Sequence, residues 1–174
     1  FHELPEELRN DLDQFWAGLF SSQEGFLDHE WSKHGTCWDS QAGDVAKMPT
    51  DIISTIEQAR QNTQAHNNLS QPSDYLGLAM DLGNMYNVYE ALEESDITPK
   101  DDEPYTLDQI KDAIAKKFNR LKDYNLQCQK DENGRSLIKE IRLCVDKNYN
   151  LMDCKRAFST SCAKEVYYPT NQRL

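Results

Sequence analysis

Positive charge is what this chain has least of. Its 174 residues carry 19 lysines and arginines against 30 aspartates and glutamates, a formal net charge of −11 with a pI near 4.8. That balance excludes a protein that grips nucleic acid through a broad basic surface, because phosphates are bound by cations that neutralise them. It leaves room for an enzyme that meets RNA briefly in a locally cationic cleft. Also absent are an apolar run long enough to cross a bilayer, a signal-peptide pattern and a lipidation motif, so no membrane partner is expected. The cysteines form no CxxC pair and have no histidines beside them in the C-terminal part, which argues against zinc there. No internal repeat and no strand–helix–strand alternation is visible. A composition of 38% hydrophobic and 28% charged residues is that of a globular chain. Residues 1–174 therefore read as a single domain, long enough to bury a core.

What is present begins with five cysteines: Cys37, Cys128, Cys144, Cys154 and Cys162. Disulfides in an oxidising compartment are the expectation, with several pairings allowed by spacing and one cysteine left free or bonded outside the chain. Asn68-Leu69-Ser70 is an acceptor sequon, so Asn68 is a candidate glycosylation site. The first residue is Phe1 rather than Met, and an upstream segment is expected to have been removed.

The hydrophobic spacing predicts helices first and strands later. Leu8, Leu12, Phe15, Trp16, Leu19 and Phe20 mark a helix over 5–20 with Pro5 in its first turn. Thr50 caps a helix to about His66 with Ile52, Ile53, Ile56 and Ala59 inward. Ser73 caps the next, whose stripe is Tyr75, Leu78, Ala79, Leu82, Tyr86 and Tyr89. Ile97 to Pro104 reads as an acidic loop, and Thr106 with Gln109 as the capping box of a helix through Leu121. Strands are expected at 125–129, 136–145 (alternating Leu137, Ile141, Leu143, Val145) and 162–168, with a turn at Asn133-Gly134. The fold class is α+β, a mainly antiparallel sheet packed against several helices.

Reactive groups are densest between Asp28 and Cys37. On a helix, Glu30, Lys33, His34 and Cys37 share one face at i, i+3, i+4 and i+7, Trp31 and Trp38 share another, and Gly35 suits the helix end. Three chemistries compete. His29-Glu30 invites comparison with the zinc-protease motif HExxH, but His34 lies five residues on, about 140° round an ideal helix, which argues against a metal site. His34 could activate Cys37 as a nucleophile at i, i+3, although a disulfide is the commoner fate of such a cysteine. The third chemistry is proton transfer at a phosphodiester. His34 would take a proton from an RNA 2′-hydroxyl, Lys33 would neutralise developing phosphoryl charge, and Glu30 would orient an imidazole. A salt-bridged helix face is the bland alternative.

The string His29-Glu30-Trp31-Ser32-Lys33-His34-Gly35-Thr36-Cys37 resembles the second active-site segment of the ribonuclease T2 family, His-Glu-Trp-x-Lys-His-Gly-Thr-Cys, at every defined position. The helix ending near Trp16, the stretch from Tyr75 to Pro99 and the strand Glu140 to Asp146 resemble further family elements. The resemblance implies a ribonuclease T2-like α+β fold and bridges nested as Cys128–Cys162 outside Cys144–Cys154. It implies an endoribonuclease that cleaves single-stranded RNA by transesterification through a 2′,3′-cyclic phosphate, with no metal and no cofactor, in a secreted or endolysosomal setting. It gives His34 the role of general base, Glu30 and Lys33 that of stabilising the transition state, His29 that of binding phosphate, and Phe26 that of packing against a base.

Two departures stand out. The family's first active-site segment, His-Gly-Leu-Trp-Pro, does not occur here, and neither His2 nor His66 sits in such a motif. Trp16-Ala17-Gly18 stands where relatives commonly have Trp-Pro and a polar residue at a second base site. The chain is thus expected to be a domain lacking its N-terminal portion, with Cys37 disulfide-linked to an N-terminal fragment of the same precursor. The alternative is a catalytically inactive family member acting as a binding or structural subunit, whose precursor would lack the upstream histidine. Protein from its natural source should release a smaller peptide only on reduction. Mass spectrometry of reduced and non-reduced samples checks this, and a free Cys37 thiol with no released peptide would overturn it.

Overall fold

Helices precede strands as the hydrophobic spacing predicts, except that one strand, Lys100–Thr106, comes before the last helix. The computed structural model describes residues 4–16, 22–65, 71–118, 121–155 and 160–170. His2, His66, the sequon at Asn68, and Ala17 and Gly18 lie outside them. The chain divides into two compact units, Phe1–Tyr86 with Lys147–Tyr149, and Asn87–Asp146 with Asn150–Leu174.

The first unit is helical: α1 (Glu6–Phe15), α2 (Gln23–Lys33), α3 (Thr50–Ala65) and α4 (Pro72–Met85). Pro5 is the N-cap of α1 rather than a residue of its first turn. Leu12 is fully buried, but Phe15, expected inward, is 57% exposed. Leu4, Leu12, Leu27, Leu76 and Met80 form one buried cluster, with Leu8, Trp16, Phe26 and Tyr75 packed at its margin. In α3, Ile52, Ile56 and Ala59 are buried as their spacing predicts, and Ile53 is half-buried. The cap of α4 is Gln71, not Ser73, because Pro72 takes the first helical position, where a missing N–H costs nothing. The Gln71 N–H donates to the Asp74 carboxylate at 3.3 Å and Asn62 Nδ2 donates to it at 2.8 Å, which satisfies an acid that is buried. Of the expected stripe Leu78 is buried, while Tyr75, Ala79, Leu82 and Tyr86 are half-buried and Tyr89 is exposed; the helix also buries Leu76 and Met80, which lie outside that stripe. The helix packs on α3 and also touches α1 and α2, so more than one face is covered.

The second unit holds α5 (Val88–Glu93), β1 (Lys100–Thr106), α6 (Leu107–Lys117), β2 (Asn125–Lys130), β3 (Ser136–Arg142), β4 (Cys144–Val145), β5 (Leu151–Met152) and β6 (Glu165–Tyr168). Four strands form a sheet in the order β1-β6-β3-β2, and β4 and β5 form a separate pair. The pairings are antiparallel except β3 with β6, which runs parallel through Leu137 and Tyr167, so the sheet is mixed. β1 occupies what the acidic residues and Pro104 suggested was a loop. It is an edge strand, where a proline and a row of charges are tolerated because one side makes no ladder. The expected long strand 136–145 is split into β3 and β4, and its alternation breaks at Lys139. Cys128 pairs with Ile138 but Leu126 pairs with Ile141, so an extra residue puts Ile138 and Ile141 on one face. The Thr106–Gln109 capping box forms as expected, with bonds of 3.1 and 2.8 Å.

Cys128 is bonded to Cys162 and Cys144 to Cys154, the nested arrangement that the resemblance implied. The outer bridge closes a separation of 34 residues and the inner one of 10. Loop-closure entropy then ranks them, at about 4 kcal/mol for the outer and about 3 kcal/mol for the inner. Replacing both cysteines of the outer bridge by serine should lower the unfolding free energy more than the same change at the inner bridge, as read by urea denaturation. The reverse order would overturn the ranking.

Candidate active site at the end of α2

The helix that carries the reactive residues stops sooner than its spacing suggests. Ser22 caps the start of α2 by accepting the Gly25 N–H at 3.2 Å, and the last helical residue is Lys33. His34 has φ −120° and ψ −48°, outside helical values, while its N–H still donates to the Glu30 carbonyl at 3.0 Å. Gly35–Cys37 then form one 3-10 turn. The continuous face at i, i+3, i+4 and i+7 therefore does not extend to Cys37. That residue is exposed with a free thiol, and its N–H donates to the His34 carbonyl at 3.2 Å.

The early stop also overturns the angular argument that set His29 and His34 apart. Their ring centroids are 6.1 Å apart, edge to face at 81°. One ligand atom from each of His29, Glu30 and His34 lies within 4.8 Å of the other two. An angle of about 140° assumes an ideal helix through both residues, and His34 is not in one. Among the described residues, these three are the group that could hold a metal ion. Lys33 is exposed in the last turn, where unsatisfied carbonyls favour a cation. Phe26 is half-buried, edge-on to Trp16 with centroids 5.6 Å apart, and so forms part of the core margin.

Gly35 holds this geometry, for a reason that differs from the expected one. It is buried, and its φ is not left-handed as a helix-ending glycine's usually is. Space is what it provides. A Cβ there would lie 2.2 Å from Trp31 Cε3 and 2.9 Å from Tyr75 Cδ1. The ring centroids of Trp31 and Trp38 lie 6.0 and 6.1 Å from that of Tyr75. Trp38 Nε1 donates to the Tyr149 hydroxyl at 2.9 Å, and the Tyr86 hydroxyl donates to the Tyr149 carbonyl at 2.9 Å. Arg60 donates to the carbonyls of Ser40, Ala42 and Gly43 at 2.9 to 3.2 Å, fixing the loop that follows.

Burial, and secondarily the Glu30 charge, push the Tyr75 phenol above its ordinary pKa, so it stays a neutral wall beside the carboxylate. Sequence spacing missed Tyr75 and Tyr149 as supports of the site, since both come from distant segments. The local signal at Tyr149 is its left-handed φ of 62°, visible in the backbone and not in the residue pattern.

The model of the ribonuclease T2 family matches residues 2–154. Ribonuclease Oy of Magallana gigas is 24% identical over 167 residues, covering 91% of this chain and 66% of that protein. Extracellular ribonuclease LE of Solanum lycopersicum is 27% identical over 168 residues, covering 94% of this chain and 60% of that protein. The chain thus spans between 60% and 66% of the length of these two curated relatives. RNase NT, solved in complex with 5′-AMP, is 27% identical with a TM-score of 0.64, covering 97% of this chain and 73% of that one.

The packing at Gly35 can be separated from a general intolerance of glycine replacement. Gly35→Ala should cost about 1–3 kcal/mol through overpacking. Gly77→Ala and Gly83→Ala in α4, where an added Cβ meets nothing within 4 Å, should instead stabilise by up to about 1 kcal/mol through helix propensity. Urea midpoints of the three variants check this, and a common sign would refute the packing role.

Proposed function

The chain belongs to the ribonuclease T2 family, and from that premise we propose that it supplies part of the active site of an endoribonuclease acting on single-stranded RNA. The observation that carries this reading is the convergence of His29, Glu30 and His34 at the end of α2, next to the cationic Lys33 and inside the matched stretch. The 5′-AMP bound to RNase NT accords with a nucleotide substrate.

In this reading His34 accepts the proton of a ribose 2′-hydroxyl. The freed oxygen attacks phosphorus, the bond to the 5′-oxygen breaks, and a 2′,3′-cyclic phosphate is left. Lys33 and Glu30 stabilise the charge that builds on the non-bridging oxygens, the carboxylate by orienting an imidazole, and His29 binds the phosphate. Phe26, held edge-on by Trp16, offers an apolar margin to a base. No step asks for a metal ion or cofactor. The leaving 5′-oxygen needs a proton from a second carrier. The family resemblance assigns it to a histidine of an upstream segment, for which the exposed Cys37 thiol is the anchor we propose.

Two disulfides and the likeness to an extracellular ribonuclease support a secreted or endolysosomal setting. No helix among the described residues is long and apolar enough to cross a membrane. Removing a general base costs about 10²–10⁴ in rate. His34→Ala in the complete protein should therefore lower cleavage of a single-stranded oligoribonucleotide by that factor, with an unchanged circular dichroism spectrum. A rate near wild type would sink the assignment.

A further inference from the structure

We propose that Asn133 is a modification site, where the side-chain amide is lost through a cyclic imide formed with Gly134 and where Asp131 sets the rate. The site does not depend on the ribonuclease reading above. Asn133 is the one asparagine of the sequence that is followed by glycine. With no Cβ on the following residue, nothing obstructs the approach of its backbone nitrogen to the side-chain carbonyl carbon. Both residues are exposed in the turn between β2 and β3, and a Cβ at Gly134 would meet nothing within 4 Å. Solvent therefore has access to both. The Gly134 nitrogen gives its proton to a solvent base and bonds to Asn133 Cγ. The Cγ–Nδ2 bond breaks, and ammonia leaves with a proton returned by solvent. Water then opens the imide at either carbonyl, leaving aspartate or its β-linked isomer at position 133.

The turn holds this reaction back. The Gly134 N–H that must be lost donates to the Asp131 carbonyl at 3.0 Å, and the Asp131 N–H donates to the Arg135 carbonyl at 3.0 Å. Asp131 Oδ1 accepts the N–H groups of Asn133 and Arg135 at 3.0 and 2.8 Å, and its Oδ2 accepts Arg135 Nε at 2.6 Å. That guanidinium holds the Asp131 carboxyl below the ordinary carboxylate range, so it stays an acceptor. The amide proton leaves only from turns in which its bond has opened, so the reaction draws on the open population. The β-linked product adds a methylene to the backbone and spreads the two N–H groups that share Oδ1. Arg135 carries the change further, because its guanidinium lies 4.9 Å from the Tyr167 ring and donates to the Asp101 carbonyl at 3.4 Å. Those contacts reach β6 and β1.

The full chain, kept folded at neutral pH, should convert at Asn133 faster than at any other asparagine. Peptide mass spectrometry and enzymatic methylation of the β-linked isomer read this. Asp131→Ala removes three of the turn's bonds and should speed conversion at least about tenfold, with circular dichroism unchanged. Unfolded in urea, wild type and Asp131→Ala should convert at one common rate, above that of folded wild type. This arm needs no folded variant. Asn133→Gln should form no such product and keep its urea midpoint on ageing, while aged wild type gains a second, less stable population. Conversion led by another asparagine, or none at position 133, overturns the site. Folded wild type reacting as fast as its unfolded chain, or folded Asp131→Ala reacting like wild type, overturns the control by the turn. An equal loss of stability in aged Asn133→Gln overturns the effect on the hairpin.

Discussion

The contact on which the site depends is the approach of the Gly35 backbone to the rings of Trp31 and Tyr75. A side chain at position 35 would sit where the Trp31 ring already is. With glycine there, the turn after α2 packs against Tyr75 of α4, and the ring of Trp38 comes within 6.1 Å of the same ring. One aromatic from α4 is thus clasped by two tryptophans on either side of the helix end. Protein interiors transmit a fraction of an ångström at such a contact because they are close-packed. The hydrogen bonds from Trp38 and Tyr86 to Tyr149 tie Trp38 to the rest of this unit.

Charge is handled at the same local scale. The chain as a whole carries −11, yet the proposed substrate is a polyanion. At physiological salt the screening length is about 8 Å, so acidic residues on remote surfaces repel an approaching phosphate only weakly. The C-terminal end of α2, where we place the phosphate, presents the ammonium of Lys33 beside two imidazoles and the half-buried Glu30. An acidic protein and an anionic substrate are compatible when the cations are few and adjacent, and the small number of lysines and arginines is then a statement about non-specific binding.

How far all this was legible varies with how local the cause is. The Thr106–Gln109 box and the α3 stripe of Ile52, Ile56 and Ala59 depend on neighbours within one turn, and both form as read. β1 was not legible, because Pro104 and its flanking acids forbid a central strand but not an edge strand, and edge position is a property of the whole sheet. The split of 136–145 was hidden for a related reason: the register change at Lys139 is set by pairing with β2. The buried set of α4 departs from a single stripe because three other helices touch it. The motif named the reactive residues of α2, and their spacing misjudged how they meet.

That misjudgement concerns a single backbone residue. His29 and His34 are five positions apart, which on an unbroken helix would send their imidazoles to different faces. They converge because the helix ends between them, at Lys33, and His34 takes a conformation with φ −120°. Glycine at 35 is what permits the end to pack there, so the five-residue spacing and the glycine one position later form a single device. A histidine four residues on would need no such break. The spacing that argued against a histidine pair is thus the spacing that, with an interrupted helix, brings the two imidazoles within 6.1 Å of each other.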